Sequence, residues 1–390
     1  MHAYLRYALD RQEEIIALIS RLAQLESPTD SAMHVDQATE LLAQETEDIA
    51  TAEMIATNGF GRHLRLEFRL AGGSAGDQIL ALGHSDTVWP VGTLAHMPVH
   101  ESSGRLWGPG VLDMKSGLAF FVYAMRALRD LQVPVARQVT MLVVSDEEVG
   151  SPTSRSLTES EAQKSRAVLV LEPGTGLAGK LKTARKGVGR YLVRIEGRAA
   201  HAGVDFGAGA SAIVEAAHQV QRLTALNDPA RGITVNPGVI RGGTRSNVVA
   251  AKAEIEVDVR VVTATDAGEV HRGLCNLRQV DSRCSINVEG GLNRPPMERS
   301  AGIARLFETA REVGRDIGKE VEESATGGGS DGNFTAAIGV PTLDGLGGVG
   351  EGAHAIHESI LLDRVSDRIA LLAGLVAKLG SEASQGADCA

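Results

Sequence analysis

The side chains that could do chemistry are His84, Asp86, Asp113, Glu147, Glu148, Glu172, His354 and His357. They are imidazoles and carboxylates with no thiolate among them, a set suited to zinc or another divalent ion of borderline hardness. One zinc ion takes about three protein ligands plus water, so the set is larger than a single ion needs. Two ions about 3.5–4 Å apart, bridged by a carboxylate, would use it. Such a pair acidifies water and polarises a carbonyl oxygen, and a spare carboxylate beside it can pass the water's proton to a leaving amine.

The elements that must position these residues are strands. Residues 139–145, VTMLVVS, are apolar and mostly β-branched, the pattern of a strand buried on both faces. They run directly into Asp146, Glu147 and Glu148 and stop at Gly150. Three adjacent acids at the edge of a core repel one another, which calls for a cation. Residues 78–82 form another strand, ending in His84 and Asp86 at H-x-D spacing, and residues 167–171, AVLVL, a third, ending in Glu172. In open α/β sheets ligands bind outside the carboxyl ends of the strands, which is where these three runs place their acids and imidazole. Taken singly, the acid run fits a solvated loop equally well, and a lone histidine is more often a satisfied core residue.

Around these strands the pattern is α/β. A helix is expected over 4–25, ended by Ser27-Pro28, and a second over 35–50. A strand follows at 64–70, and residues 117–128 are apolar all round, as in a buried helix. Composition shifts near Lys186. From there strands at 190–197, 233–241, 251–262 and 285–290 alternate with helices at 208–225 and 266–279, the β-α-β-β-α-β order of a ferredoxin-like unit. After Pro296 the α/β pattern resumes, with helices at 301–317 and 362–379 and a short strand at 340–343. The expected fold is therefore α/β: a discontinuous catalytic domain, 1–186 and 296–390, with a mostly parallel central sheet, and an inserted domain at 187–295. The final ten residues read as a frayed polar tail.

Length and composition bound the function. A chain of 390 residues favours two domains. Net charge is −10 with no long basic run, which argues against nucleic acid as a partner. Cys275, Cys284 and Cys389 show no CxxC spacing and fit a reducing compartment. Neither a signal peptide nor a membrane span is legible, so the cytoplasm is the expected location and no membrane partner is expected. His2, His34, His63, His96, His100, His218 and His271 read as surface residues. Two glycine-rich stretches imitate other chemistries. Residues 328–332 match the G-x-S-x-G elbow of serine hydrolases, but no strong apolar strand precedes them. Residues 345–350 match G-x-G-x-x-G, but two histidines follow where a dinucleotide site needs a helix.

The motifs together resemble the dinuclear zinc carboxypeptidase and deacylase family, which includes carboxypeptidase G, the aminoacylases, acetylornithine deacetylase, succinyl-diaminopimelate desuccinylase and peptidase T. The resemblance is carried by GHSDTV at 83–88, GPGVLDMKSG at 108–117, SDEEVGS at 145–151, LEPG at 171–174, GRAAHAG at 197–203, and the late TGGGSDGNF and GAHAIHE stretches. These occur in family order over most of the chain. The resemblance implies two zinc ions per subunit, with Co2+ or Mn2+ as substitutes. It implies His84, Asp113, Glu148, Glu172 and His354 as ligands, with Asp113 bridging. Asp86 would orient the His84 ring, and Glu147 would be the general base. His354 is preferred to His357 because it precedes Glu358 at H-x-x-x-E spacing. The inserted domain resembles a dimerisation domain, from which His201 would reach the partner's active site and hold an oxyanion. Asn247, Arg260 and the backbone of Gly328 and Gly329 would hold the substrate, with Arg294 a weaker candidate. Met114 stands where carboxypeptidase G has a second Asp, and the Asp113-Met114 peptide is expected to be cis. The implied activity is release of a C-terminal amino acid from a small peptide, glutamate being the first candidate. The alternative is deacylation of N-acyl amino acids, with a serine hydrolase or a catalytically silent binding homologue further behind.

Overall fold

The computed structural model describes residues 1–72 and 76–381, so the expected frayed tail and Cys389 lie outside the described residues. The chain divides into two compact units. The first comprises Met1–Ala184, Arg299–Thr326 and Ser330–Ala390, and the second Arg185–Glu298 with Gly327–Gly329.

The first unit is built on a six-stranded sheet. In spatial order its strands are Ala50–Ile55, His63–Phe68, Val139–Val144, Gln78–His84, Ser165–Val170 and Thr342–Leu343. The last four run parallel to one another, while the two at the other edge pair antiparallel. The three strands expected to carry the site are therefore immediate neighbours pointing the same way, and their carboxyl ends fall side by side. Alternation explains their apolar composition. Ile79, Ala81, Met141, Val143, Ala167 and Leu169 join a core with helices Ser116–Asp130 and Val365–Ser381. Leu80, Leu82, Leu142, Val144, Val168 and Val170 face the other way, in a core that includes Ala162 of helix Arg155–Gln163. Successive side chains of a strand point to opposite faces, so a sheet covered on both needs unbroken apolar runs. Gly117 lets the first of these helices start against the sheet, since a Cβ there would lie 2.0 Å from the Leu171 carbonyl oxygen.

Several elements differ from the sequence reading. The first helix is two, Ala3–Asp10 and Gln12–Gln24, broken at Arg11. The second ends at Glu45, where Thr46 bonds its hydroxyl back to the Leu42 carbonyl at 2.9 Å, and Ala50–Ile55 is an exposed edge strand. Its largely solvated side chains gave no apolar run to read. A further sheet was not anticipated: Gly350–Glu351, Ser359–Leu361, Arg105–Trp107 and His100–Ser102, in that spatial order. Its strands are only two or three residues long, below what periodicity can register. The elbow-like turn at 328–332 does follow a short strand, Glu323–Thr326, and precede a helix, Gly332–Ala337. Ser330 is nonetheless fully buried and donates its hydroxyl to Asp344 at 2.7 Å, so it presents no nucleophile.

The second unit is a four-stranded antiparallel sheet in the order Thr234–Gly242, Lys252–Val261, Gly187–Glu196, Ser285–Arg294. Two helices cross over: Ala212–Thr224, capped by Ser211, and Ala264–Cys275, capped by Thr263. This is the ferredoxin-like βαββαβ arrangement. Both helices share one core with Val193, Ile195, Ile255, Val257 and Val259, while Glu254, Glu256 and Asp258 alternate onto the more solvated face. Gly327–Gly329 groups with this unit because Arg185 donates to the Gly328 and Gly329 carbonyls and Arg260 to that of Gly327.

Candidate metal centre

The parallel strand ends of the first unit bring five ligand candidates together. His84, Asp113 and Glu172 form one trio and Asp113, Glu148 and His354 another, the ligand atoms of each lying within 4.8 Å of one another. Asp113 belongs to both: its Oδ1 is 3.2 Å from His84 Nε2, and its Oδ2 is 3.3 Å from His354 Nε2. Glu172 Oε1 lies 3.7 Å from His84 Nε2, and Glu148 Oε2 lies 3.4 Å from His354 Nε2. Glu147, expected as the base, stands in neither trio. His357 is exposed and belongs to neither. The Asp113-Met114 peptide is cis.

The electrostatics are those of a site short of positive charge. Burial alone would raise Asp113, but bonds from His354 and His84 outweigh it and hold the carboxyl well below the usual carboxylate range. Asp113 and Glu148 push His354 up to about 10. His84 lies well above its ordinary value although burial opposes it, because Asp113, Asp86 and Glu172 surround it. Burial pushes Glu148 up, with His354 and His84 opposing. Without metal, protons on the two imidazoles stand in for cations. One buried atom of the site is left over: Glu148 Oε1 has no hydrogen-bond partner among the described residues. An orphaned carboxylate oxygen, shared carboxylate and paired imidazoles fit divalent cations of the zinc type.

Asp86 does not act quite as expected. The His84 Nδ1 atom lies 2.9 Å from the backbone carbonyl of Asp86 and 3.5 Å from its carboxylate. The carboxylate, fully buried, accepts instead from the Thr29 hydroxyl at 2.7 Å and from the backbone N–H groups of Glu147 at 3.3 Å and Glu148 at 3.2 Å. It therefore holds the start of the acidic turn to the neighbouring strand end. Asp146, the first acid of the run, is also structural: it accepts from the backbone and hydroxyls of Thr153 and Ser154. His63, read as a surface residue, is buried. Its Nδ1 accepts the Ser145 N–H at 3.2 Å, and its Nε2 lies 3.2 Å from the Thr153 hydroxyl. The residue closes the same turn from behind, a role its position in a half-polar strand did not reveal.

The remaining candidates lie in the second unit. His201 is exposed, and its Nδ1 accepts the Gly203 N–H at 3.1 Å. The adjoining segment carries Asn247, whose carbonyl accepts the Ala202 N–H at 3.0 Å. Arg260 is half-buried, with its fork on Asp258 at 2.8 and 3.0 Å. Its Nη1 donates to the Gly327 carbonyl at 3.3 Å, so that part of the guanidinium faces the glycine turn. A Cβ at Gly329 would come within 2.7 Å of the Arg294 side chain, so the turn packs tightly on that arginine. Asp258 and Arg185 were missed; the D-x-R spacing of Asp258 and Arg260 was the available signal for the first. The second glycine-rich stretch, 345–350, also has a structural role: Arg368, fully buried, donates to the Gly345, Gly347 and Gly179 carbonyls, and Gly347 N–H donates to the Glu172 carbonyl at 2.8 Å.

Residues 80–378 match the family described as Peptidase family M20/M25/M40. The chain belongs to that family. It is accordingly a metallohydrolase. Carboxypeptidase G2 of Pseudomonas sp. strain RS-16 is 29% identical over 384 residues, covering 96% of this chain and 91% of the relative. Succinyl-diaminopimelate desuccinylase of Thioalkalivibrio sulfidiphilus is 28% identical over 84% of this chain and 92% of its own length. Among solved structures, aminopeptidase PepT from Bacillus cereus superposes with a TM-score of 0.76 at 22% identity, covering 94% of this chain and 98% of that one. A dinuclear metal binding peptidase of the family from Bacillus subtilis superposes with a TM-score of 0.68 at 13% identity, covering 95% and 99%. At these identities the superpositions speak for the fold.

Proposed function

We propose that the protein is a dinuclear zinc carboxypeptidase that releases a C-terminal amino acid from small peptides, with glutamate the first candidate. The observation that carries this reading is the pair of ligand trios sharing Asp113, with Glu147 beside them in neither. His84, Asp113 and Glu172 would hold one ion, and Asp113, Glu148 and His354 the other; Co2+ or Mn2+ could replace zinc. Bound there, the cations supply Lewis-acid polarisation of an amide carbonyl and lower the pKa of water. Glu147 takes the proton of the attacking water and returns it to the leaving amine. Asp86 keeps Glu147 and Glu148 in place by holding their backbone N–H groups. His201 donates to the developing oxyanion: its Nδ1 is occupied as an acceptor, which leaves the proton on Nε2. Arg260, Asn247 and the Gly328 and Gly329 backbone hold the substrate's carboxylate and carbonyl, Arg260 being pre-oriented by Asp258.

We further propose that residues 1–186 and 296–390 form the catalytic domain and 187–295 a dimerisation domain, with His201 serving the partner's site. Two features of the second unit support a homodimer. Among the described residues, strand Thr234–Gly242 pairs on one side only, and exposed Ile240 lies on it. Ile213 and Val214, 46% and 58% exposed, lie on the helix Ala212–Thr224. Unpaired edges and apolar surface invite a second chain. The cytoplasm fits Cys275 and Cys284 as free thiols outside any disulfide. No helix among the described residues is long and apolar enough to cross a membrane.

The alternative on the same site is N-acyl amino acid deacylation, favoured by the similarity to the desuccinylase. A zinc-supplemented panel of dipeptides, acyl-glutamates and short-chain N-acyl amino acids separates the two. Turnover concentrated on substrates with a free C-terminal glutamate supports the carboxypeptidase reading. Turnover set by the acyl group, whatever the amino acid, replaces it with the deacylase one.

A further inference from the structure

Glu358 is a fully buried carboxylate with no part in the reaction described above. Its surroundings are all donors. Oε1 accepts the backbone N–H groups of Leu112 at 2.9 Å and Asp113 at 3.0 Å. Oε2 accepts the backbone N–H of Gly110 at 2.9 Å and the Trp89 indole N–H at 2.8 Å. A carboxylate offers about four lone-pair sites, and four donors occupy them. Glu358 therefore has nothing left for a cation, although it stands four residues after His354.

The contact arises from the small sheet that periodicity could not register. Strands Arg105–Trp107 and Ser359–Leu361 pair antiparallel with Ser359 opposite Trp107. The residue leaving one strand thus meets the residue entering the other, and the Gly108 N–H donates to the Glu358 carbonyl at 3.2 Å. Gly110 follows at φ +72°, a left-handed turn that suits glycine and aims its N–H at the carboxylate. On the other side, Glu358 N–H donates to the Ala355 carbonyl at 2.9 Å, and Ala355 N–H in turn donates to the Gly352 carbonyl at 2.8 Å, closing the turn that carries His354. One residue therefore ties together the backbones bearing Asp113 and His354, two members of the same trio.

We propose that Glu358 is a positioning residue: its carboxylate locks the Gly110, Leu112 and Asp113 backbone to the His354 turn and so sets the Asp113–His354 spacing on which the second cation depends. The inference rests on the two-cation reading given under the proposed function. A purely structural role would alter the stability of the fold and leave cation affinity of the folded protein unchanged.

The test is zinc titration of chelator-stripped full-length protein against a competing chromophoric chelator, for wild type, Glu358→Gln and Trp89→Phe. Glutamine keeps the shape but turns an NH2 group toward N–H donors. In Glu358→Gln one zinc should lose about 10–100-fold in affinity, the usual scale for groups that orient a ligand, and the other less. Trp89→Phe removes one donor of four, and the same zinc should lose a few-fold. Wild-type affinity for both ions in folded Glu358→Gln overturns the proposal. If that variant does not fold, unchanged affinity in Trp89→Phe overturns it. A wild-type protein that takes up only one zinc, or Asp113→Asn that retains both, sinks the two-cation reading itself.

Discussion

Replacing Asp86 with alanine should cost more in the backbone it holds than in the imidazole next to it. The carboxylate is fully buried and serves three donors: the Thr29 hydroxyl and the N–H groups of Glu147 and Glu148. A buried donor left without an acceptor costs about 1–3 kcal/mol. The hydroxyl bond is short, whereas the two amide bonds are 3.3 and 3.2 Å and belong at the low end. The sum is then about 3–5 kcal/mol, spread over the turn, with ~1 kcal/mol falling on each of the two amides. That share corresponds to exchange faster by roughly 5-fold at each amide. The contact of His84 Nδ1 with the Asp86 main-chain carbonyl survives, since alanine keeps that carbonyl. The assay is hydrogen exchange on peptides covering residues 144–151, in metal-stripped and zinc-loaded protein, alongside turnover. Loss of protection there, with turnover reduced about 100-fold through misplacement of Glu147, is the expected result. Wild-type protection of those two amides, with the loss confined to zinc binding at His84, would refute the reasoning and restore the carboxylate as the ring's orienting group.

Glu147→Gln should keep two zinc ions per chain and lose at least ~100-fold in turnover, the scale of general-base removal; retention of turnover, or loss of an ion, contradicts the separation of base from ligand. The metal-free protein should also show a pH signature at His354. Its ring is lifted from 6.5 to about 10 by Asp113 and Glu148, so its stabilisation is complete below about pH 6.5 and is lost as pH rises through about 10. Melting temperature of the stripped protein should therefore fall between pH 7 and 10 relative to His354→Ala, and zinc uptake near pH 8 should release a proton from this ring. A pH-independent difference between the two proteins contradicts the ion-paired imidazole.

Much of the candidate ligand set was legible because it sits at the ends of buried strands. Residues 139–144 are buried at every position and apolar at all but Thr140, so the carboxylates that follow stand out. Residues 79–82 and 167–170 are buried and apolar in the same way. The ferredoxin-like unit was legible for a similar reason: its strands alternate and its helices carry the caps Ser211 and Thr263. What escaped had weak local signatures. Ala50–Ile55 is a solvated edge, Arg105–Trp107 is three residues long, and His63 lies in a strand with polar neighbours.

The sequence by itself determined which residue types stand at which strand ends, and hence a cation-binding hydrolytic chemistry on an α/β scaffold. Hydrophobic runs and acid clusters are local, and a chain can be read locally. Tertiary structure alone decided the atoms. It put His84 Nδ1 closer to the Asp86 carbonyl than to the carboxylate, and set that carboxylate to holding Glu147 and Glu148. It closed four donors around Glu358, all of them more than 240 positions away in the chain. Hydrogen-bond choice depends on ångström-scale direction between segments brought together by strand pairing, and no spacing within one segment encodes it.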